Sequence, residues 1–98
     1  MTRSSSLEIT WHEEAVKELS KLDGGTIRRV LDKVERLACE PFPPQARALT
    51  GFTCTYRLRV GDYRVIYSLV DRELPILILS IGHRREVYEK LRRTSRRR

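Results

Sequence analysis

Arg57, Arg59 and Arg64 stand in one short run, Tyr56 to Tyr67, with the sequence Tyr-Arg-Leu-Arg-Val-Gly-Asp-Tyr-Arg-Val-Ile-Tyr. Guanidinium groups are planar, permanently charged and able to hold two phosphate oxygens at once, so three of them on one surface describe a site for a polyanion. The turn decides whether they share a surface. Gly61-Asp62, between flanks that alternate with period two, reads as the loop of a β-hairpin, and Gly at the first central position suits a type II′ turn. Val60 then faces Tyr63, Arg59 faces Arg64, Leu58 faces Val65, Arg57 faces Ile66 and Tyr56 faces Tyr67. Because side chains alternate across a sheet, one face carries Tyr56, Leu58, Val60, Tyr63, Val65 and Tyr67, and the other carries Arg57, Arg59, Arg64 and Ile66. Opposing Arg59 to Arg64 costs a few tenths of a kcal/mol up to ~1, and a bound polyanion would remove that cost. The plainer reading is a solvated sheet face whose charges only discourage aggregation.

Charge placement favours the polyanion. The 98-residue chain has a net charge of +7, and all of the excess lies in residues 51–98, since residues 1–50 hold 8 basic and 8 acidic side chains. A basic half of this kind points to nucleic acid as the commonest partner. The longest unbroken apolar run, Ile76 to Leu79, is four residues, far below the ~20 that a spanning helix needs. No apolar run follows Met1 to Ser6, so no signal peptide is indicated and a cytoplasmic location without membrane association is expected. Cys39 and Cys54 are too few for a disulfide framework and match no zinc spacing with His12 and His83, so both read as small, buried or half-buried apolar side chains and no metal or other cofactor is expected.

The elements that must position the arginines follow from periodicity. Leu7 to Thr10 alternates apolar and polar residues and reads as a first strand ending near Trp11. Ala15, Val16, Leu19 and Leu22 fall at helical spacing within His12 to Leu22, with Glu13 and Glu14 in the first turn, where the helix dipole favours them. Asp23-Gly24-Gly25 stops this helix, and Thr26 is the expected N-cap of a second, whose stripe is Ile27, Val30, Leu31, Val34, Leu37 and Ala38. Its polar face includes the i,i+4 pair Asp32 and Arg36.

The prolines at 41, 43 and 44 make a loop as far as Gly51. The hairpin strands, Thr53 to Val60 and Tyr63 to Val70, follow, then a turn at 71–73 and a largely apolar strand, Leu74 to Ile81, with Pro75 at its start. Gly82 to Tyr88 leaves that strand and begins a short helix to about Arg93, and the basic tail 94–98 is expected to be disordered without a partner. The expectation is a single α+β domain over 1–98: an N-terminal strand, a helical hairpin covering one sheet face, a three-stranded antiparallel meander and a C-terminal helix, in the order β-α-α-β-β-β-α.

Two segments together carry a specific resemblance. Tyr56-Arg57-Leu58-Arg59 with Gly61-Asp62-Tyr63-Arg64-Val65-Ile66-Tyr67, and then Ser80-Ile81-Gly82-His83-Arg84-Arg85-Glu86-Val87-Tyr88, resemble the RelE branch of the RelE/ParE superfamily of bacterial and archaeal toxins over nearly the whole chain. The resemblance implies a small α+β toxin of a type II toxin-antitoxin pair, held inactive by a cognate antitoxin that is small and acidic or amphipathic, with contact to operator DNA through that antitoxin. It further implies an endoribonuclease that enters the ribosomal A site and cleaves mRNA by attack of a ribose 2′-hydroxyl on the adjacent phosphate, without a metal. Carried over by position, Arg57 and Arg59 match basic residues of the second strand of the family, Arg64 the arginine of the next strand, Arg84 the arginine after the glycine, and Tyr88 the C-terminal tyrosine. Well-known members have lysine at the first two positions, so the arginines here count against a general base at either.

The chemistry assigns the same residues. In-line attack needs a deprotonated 2′-hydroxyl, a stabilised phosphorane and a protonated leaving oxygen. Arg57, Arg59, Arg64 and Arg84 suit the second need only, because Arg stays protonated. Tyr88 is the proton-transfer candidate, since nearby cations favour the phenolate, and it could instead stack on an unpaired base. His83 and Arg85 are secondary candidates: histidine for its titration near neutral pH, Arg85 with Glu89 at i,i+4 as its structural alternative. Glu86 is repelled by phosphate and suits tethering an arginine. Two other readings stay open, a ParE-type protein that poisons DNA gyrase and a non-enzymatic partner of the antitoxin.

Overall fold

The computed structural model describes residues 7–71 and 73–83. The expected C-terminal helix, the basic tail, and Arg84, Arg85, Glu86 and Tyr88 lie outside the described residues.

Strand β1 (Ile9–Trp11) leads into helix α1 (Glu13–Ser20). His12 caps that helix: its backbone is extended and its Nδ1 accepts a hydrogen bond from the Glu14 N–H at 3.0 Å. Helix α2 (Gly24–Arg36) follows after three residues. Its N-cap is Asp23 and not Thr26, a correction to the sequence expectation with a simple cause. Both are good capping residues, but Asp23 Oδ2 accepts from Thr26 N–H at 3.2 Å and Oδ1 from the Thr26 hydroxyl at 2.7 Å, so the two glycines enter the first turn instead of preceding it.

These bonds, first the Thr26 hydroxyl and then its N–H, hold the Asp23 carboxyl below its ordinary 3.8. A carboxyl depressed in the folded state stabilises above its unfolded value, and that contribution is lost as pH falls through the folded one. The difference in thermal midpoint between wild type and Asp23→Ala is therefore expected to be constant near neutrality and to shrink as pH drops below 3.8 in circular-dichroism melts. A gap that stays constant into acid would show that the carboxylate charge contributes nothing to the cap.

Four further strands complete the sheet: β2 (Ala46–Ala48), β3 (Thr55–Val60), β4 (Tyr63–Ser68) and β5 (Ile76–His83), in the spatial order β1-β5-β4-β3-β2. The meander β3-β4-β5 is antiparallel as expected, and β1 adds to β5 in parallel, Ile9 opposite Ile76 and Trp11 opposite Ile78. The short strand β2 lies in the segment expected to be loop. Its residues have weak strand preference, and its partner β3 supplies the pairing: Ala46 lies opposite Leu58, Arg47 opposite Arg57 and Ala48 opposite Tyr56.

The helices cover one face. Ala15, Val30, Val34 and Leu37 pack with Leu58, Val60, Val65, Tyr67, Ile76, Ile78 and Ile81 in the core. Leu31, expected within the buried stripe, lies at its exposed margin, as does Val16 of α1. Cys39, expected to be at least half-buried, is exposed just past α2, while Cys54 is half-buried with a positive φ of 51°.

Strand β5 does not keep strict alternation. Ser80 pairs with Ile66 but Ile78 pairs with Tyr67, leaving Leu79 as the extra residue of a bulge. The face assignment shifts there, so Ile76, Ile78 and Ile81 all belong to the core. Since β1 pairs no further than Ile78, the outer edge of β5 is open beyond it, and Glu18 of α1 fills the gap: its Oε1 accepts from Ile81 N–H at 2.8 Å and from the Ser80 hydroxyl at 3.2 Å. A buried donor left without such an acceptor costs ~1–3 kcal/mol, so this contact satisfies the Ile81 N–H on the side where β1 no longer pairs.

Candidate nucleic-acid interface

The hairpin has the register that its turn implies. Gly61 has φ +63°, and Asp62 is absent from the positive-φ residues, as a type II′ turn requires. Val60 lies opposite Tyr63, Arg59 opposite Arg64, Leu58 opposite Val65, Arg57 opposite Ile66 and Tyr56 opposite Tyr67. Leu58, Val60, Val65 and Tyr67 face the helices, which leaves Arg57, Arg59 and Arg64 together on the other face. Ile66 shares that second face and is fully buried there.

The arginines line a groove of about 330 Å³ whose walls, among the described residues, are Pro44, Gln45, Arg47, Arg57, Arg59 and Arg64. No acidic side chain is among them. Arg57 and Arg64 are half-buried and Arg47 and Arg59 exposed, so their stems rest on the sheet while the charged heads reach water. An Arg64 Nη donates to the Tyr63 carbonyl at 3.4 Å, a long contact that leaves the rest of the fork available. Arg47 was missed in the sequence because three nearby prolines hid β2; the Ala-Arg-Ala alternation was the signal for it.

An aromatic anchor holds the proline wall in place. The Tyr67 hydroxyl donates to the Pro41 carbonyl at 2.6 Å, Tyr67 stacks on Tyr56 with centroids 5.5 Å apart, and Phe42 meets Tyr56 edge-on at 5.1 Å. Burial, and next the neighbouring Tyr56, push the Tyr67 phenol well above its ordinary 10.0, so it remains a neutral donor. Beyond the anchor, Ala46 N–H donates to the Pro43 carbonyl at 2.9 Å and Arg59 N–H to the Gln45 carbonyl at 3.3 Å, seating the segment against β3.

His83 is placed elsewhere. It lies opposite Tyr63, and the rings meet edge-on at 5.6 Å on the face away from the arginines, a consequence of the Leu79 bulge. The Arg64 partner on β5 is Gly82, which puts no side chain in the way of the guanidinium.

The profile described as the ParE toxin of type II toxin-antitoxin system, parDE, matches residues 9–88. The mRNA interferase toxin RelE of Escherichia coli K12 is 33% identical over 86 residues, covering 84% of this chain and 90% of that protein. The chain belongs to the RelE/ParE family, as a RelE-like type II toxin. Among solved structures, the archaeal RelE-RelB complex from Pyrococcus horikoshii OT3 is similar with a TM-score of 0.72 and 33% identity, covering 84% of this chain and 99% of that one. The intact E. coli RelBE toxin-antitoxin complex shares the fold, with a TM-score of 0.69 at 24% identity, over 80% of this chain and 96% of that one.

Proposed function

We propose that this toxin is a ribosome-dependent mRNA endonuclease that cuts in the A site by metal-independent attack of a 2′-hydroxyl on the adjacent phosphate. The observation that carries the reading is the hairpin register, which gathers Arg57, Arg59 and Arg64 on one face, lining one groove. Such a surface holds a phosphodiester and stabilises the charge that builds on it during attack. The name of the E. coli relative, an mRNA interferase, supports RNA as the substrate. Arg84 joins the phosphate-holding group and Tyr88 moves the proton in this scheme, with Arg85 in reserve. His83 is less suited than its sequence position implied, because its ring packs on Tyr63 across the sheet from the groove.

A cognate antitoxin of acidic or amphipathic character keeps the toxin inactive, and through it the pair contacts operator DNA. The archaeal RelE-RelB complex supports an antitoxin partner.

Mapping mRNA 5′ ends on ribosomes after brief induction tests the reading. Cuts in phase with codons are expected. Intact messages accompanied by gyrase-linked DNA breaks would overturn it in favour of a ParE-type activity.

A further inference from the structure

The groove holds more positive charge than one phosphate uses. Arg59 and Arg64 form one row across β3 and β4, and Arg47 and Arg57 form a second across β2 and β3. Directly opposed residues share a face, with Cβ atoms about 4.5–5.5 Å apart. Arg57 and Arg59 are two residues apart on one strand, so the rows are separated by about 6.6–6.8 Å. Each guanidinium can hold a phosphate through two parallel hydrogen bonds, so the outer row, Arg47 with Arg57, offers donors to a second phosphate of the same strand.

The placement of Arg47 is built into the fold. Strand β2 is the sheet edge, bonded to β3 on one side, and its approach is fixed by the Pro43 and Gln45 carbonyls and by the Tyr67 anchor. Like-charge pairing of Arg47 with Arg57 repeats the unfavourable arrangement of Arg59 with Arg64, and a sheet edge that only had to avoid pairing with another chain would be served by any charge or by a proline.

We propose that Arg47 grips the phosphate next to the scissile one in single-stranded RNA and so sets the register of the strand over Arg59 and Arg64. The inference rests on the endonuclease reading. Arg59 and Arg64 take the scissile phosphate in that reading, and Arg47, on the edge strand, lies in the row beyond them. Arg47 is a positioning residue in this scheme: it binds substrate away from the bond that breaks.

The test uses full-length toxin on ribosomes programmed with a defined mRNA, in single-turnover cleavage at varied toxin concentration. Arg47→Ala is expected to raise the half-saturating concentration about tenfold, the loss of one charge-assisted hydrogen bond, with the loss falling on that concentration and not on the saturating rate. Arg47→Lys should recover part of it, because a point charge keeps attraction without the fork. A second message set carries one neutral methylphosphonate, either one step 5′ or one step 3′ of the cut. At one of the two positions wild type should weaken and Arg47→Ala should weaken no further. Coincident wild-type and Arg47→Ala curves, or a difference that persists at both methylphosphonate positions, would overturn the inference alone. A message that wild type leaves uncut overturns the endonuclease reading and the inference with it.

Discussion

Arg64→Ala is expected to lower mRNA cleavage by about a hundred- to a thousandfold, the scale of removing one preorganised donor to developing charge, without unfolding the protein. Arg64 is half-buried on the arginine face of β4, opposite Arg59, across the sheet from the core beneath the helices. The deletion relieves a like-charge pair worth a few tenths of a kcal/mol up to ~1 and forfeits some stem packing, so the two effects on stability nearly offset.

Arg59→Glu separates charge from packing more cleanly. Arg59 is exposed, and a carboxylate at its position sits directly opposite the Arg64 guanidinium, turning repulsion into attraction. Cleavage should fall at least as far as in Arg64→Ala, because the carboxylate repels phosphate and occupies Arg64. Stability should rise by about 1 kcal/mol, which moves the thermal midpoint up by about 4–8 °C in a domain of this size. The gain should shrink at high salt, since the pair is solvent-accessible. Midpoints from circular dichroism and single-turnover cleavage on programmed ribosomes give both quantities from one preparation. A variant that remains fully active, or whose midpoint falls, would return the arginine face to a passive solvated surface. The opposite movement of activity and stability is the signature of a site whose repulsion is tolerated for function.

How much of this arrangement was legible in the sequence depended on whether local chemistry or a distant partner fixed each part. The Arg59–Arg64 opposition was readable because Gly61-Asp62 sets the register and a slip of one residue would turn Leu58 and Val65 to water. The α2 stripe was readable for the same reason, periodicity backed by burial of Val30, Val34 and Leu37. Strand β2 was not, because three residues beside prolines have no strand preference of their own and borrow their pairing from β3. With β2 went Arg47. The Leu79 bulge carries no glycine or proline to mark it, so the side on which His83 emerges could not be read. Arg84 and Tyr88, assigned by resemblance and by chemistry, lie outside the described residues and retain that basis alone.

Tyr67 joins the core to the groove, and its substitution should have the largest effect on stability. The side chain is fully buried, stacked on Tyr56 and bonded to Pro41. Tyr67→Ala removes an aromatic ring from the core at a cost of about 3–5 kcal/mol, against the 5–15 kcal/mol of total stability expected for small domains, and should leave a protein partly unfolded at 37 °C. Tyr67→Phe is the sharper test. It keeps the ring and deletes only the donor to the Pro41 carbonyl, which costs about 1–3 kcal/mol where the carbonyl finds no other partner. Because the folded pKa of Tyr67 is raised above its ordinary 10.0, the hydroxyl contributes fully below that pH, and its contribution fades as pH rises further and the unfolded chain ionises. The stability gap between wild type and Tyr67→Phe should therefore be constant at neutral pH and narrow above 10.0. The groove should respond as well, although Tyr67 is not among its lining residues. Loosening the Pro41 anchor releases the segment that carries Gln45 and Arg47, so hydrogen exchange at the Ala46 and Arg59 amides, which donate to the Pro43 and Gln45 carbonyls, should quicken while exchange at the Leu58 and Val65 amides in the core hairpin changes less. Cleavage should weaken through a higher half-saturating concentration, in the direction of Arg47→Ala. Unchanged protection at Ala46 and Arg59 in a Tyr67→Phe protein of lowered stability would show that the proline wall is held by β2 pairing alone, and that the aromatic anchor serves the core without reaching the site.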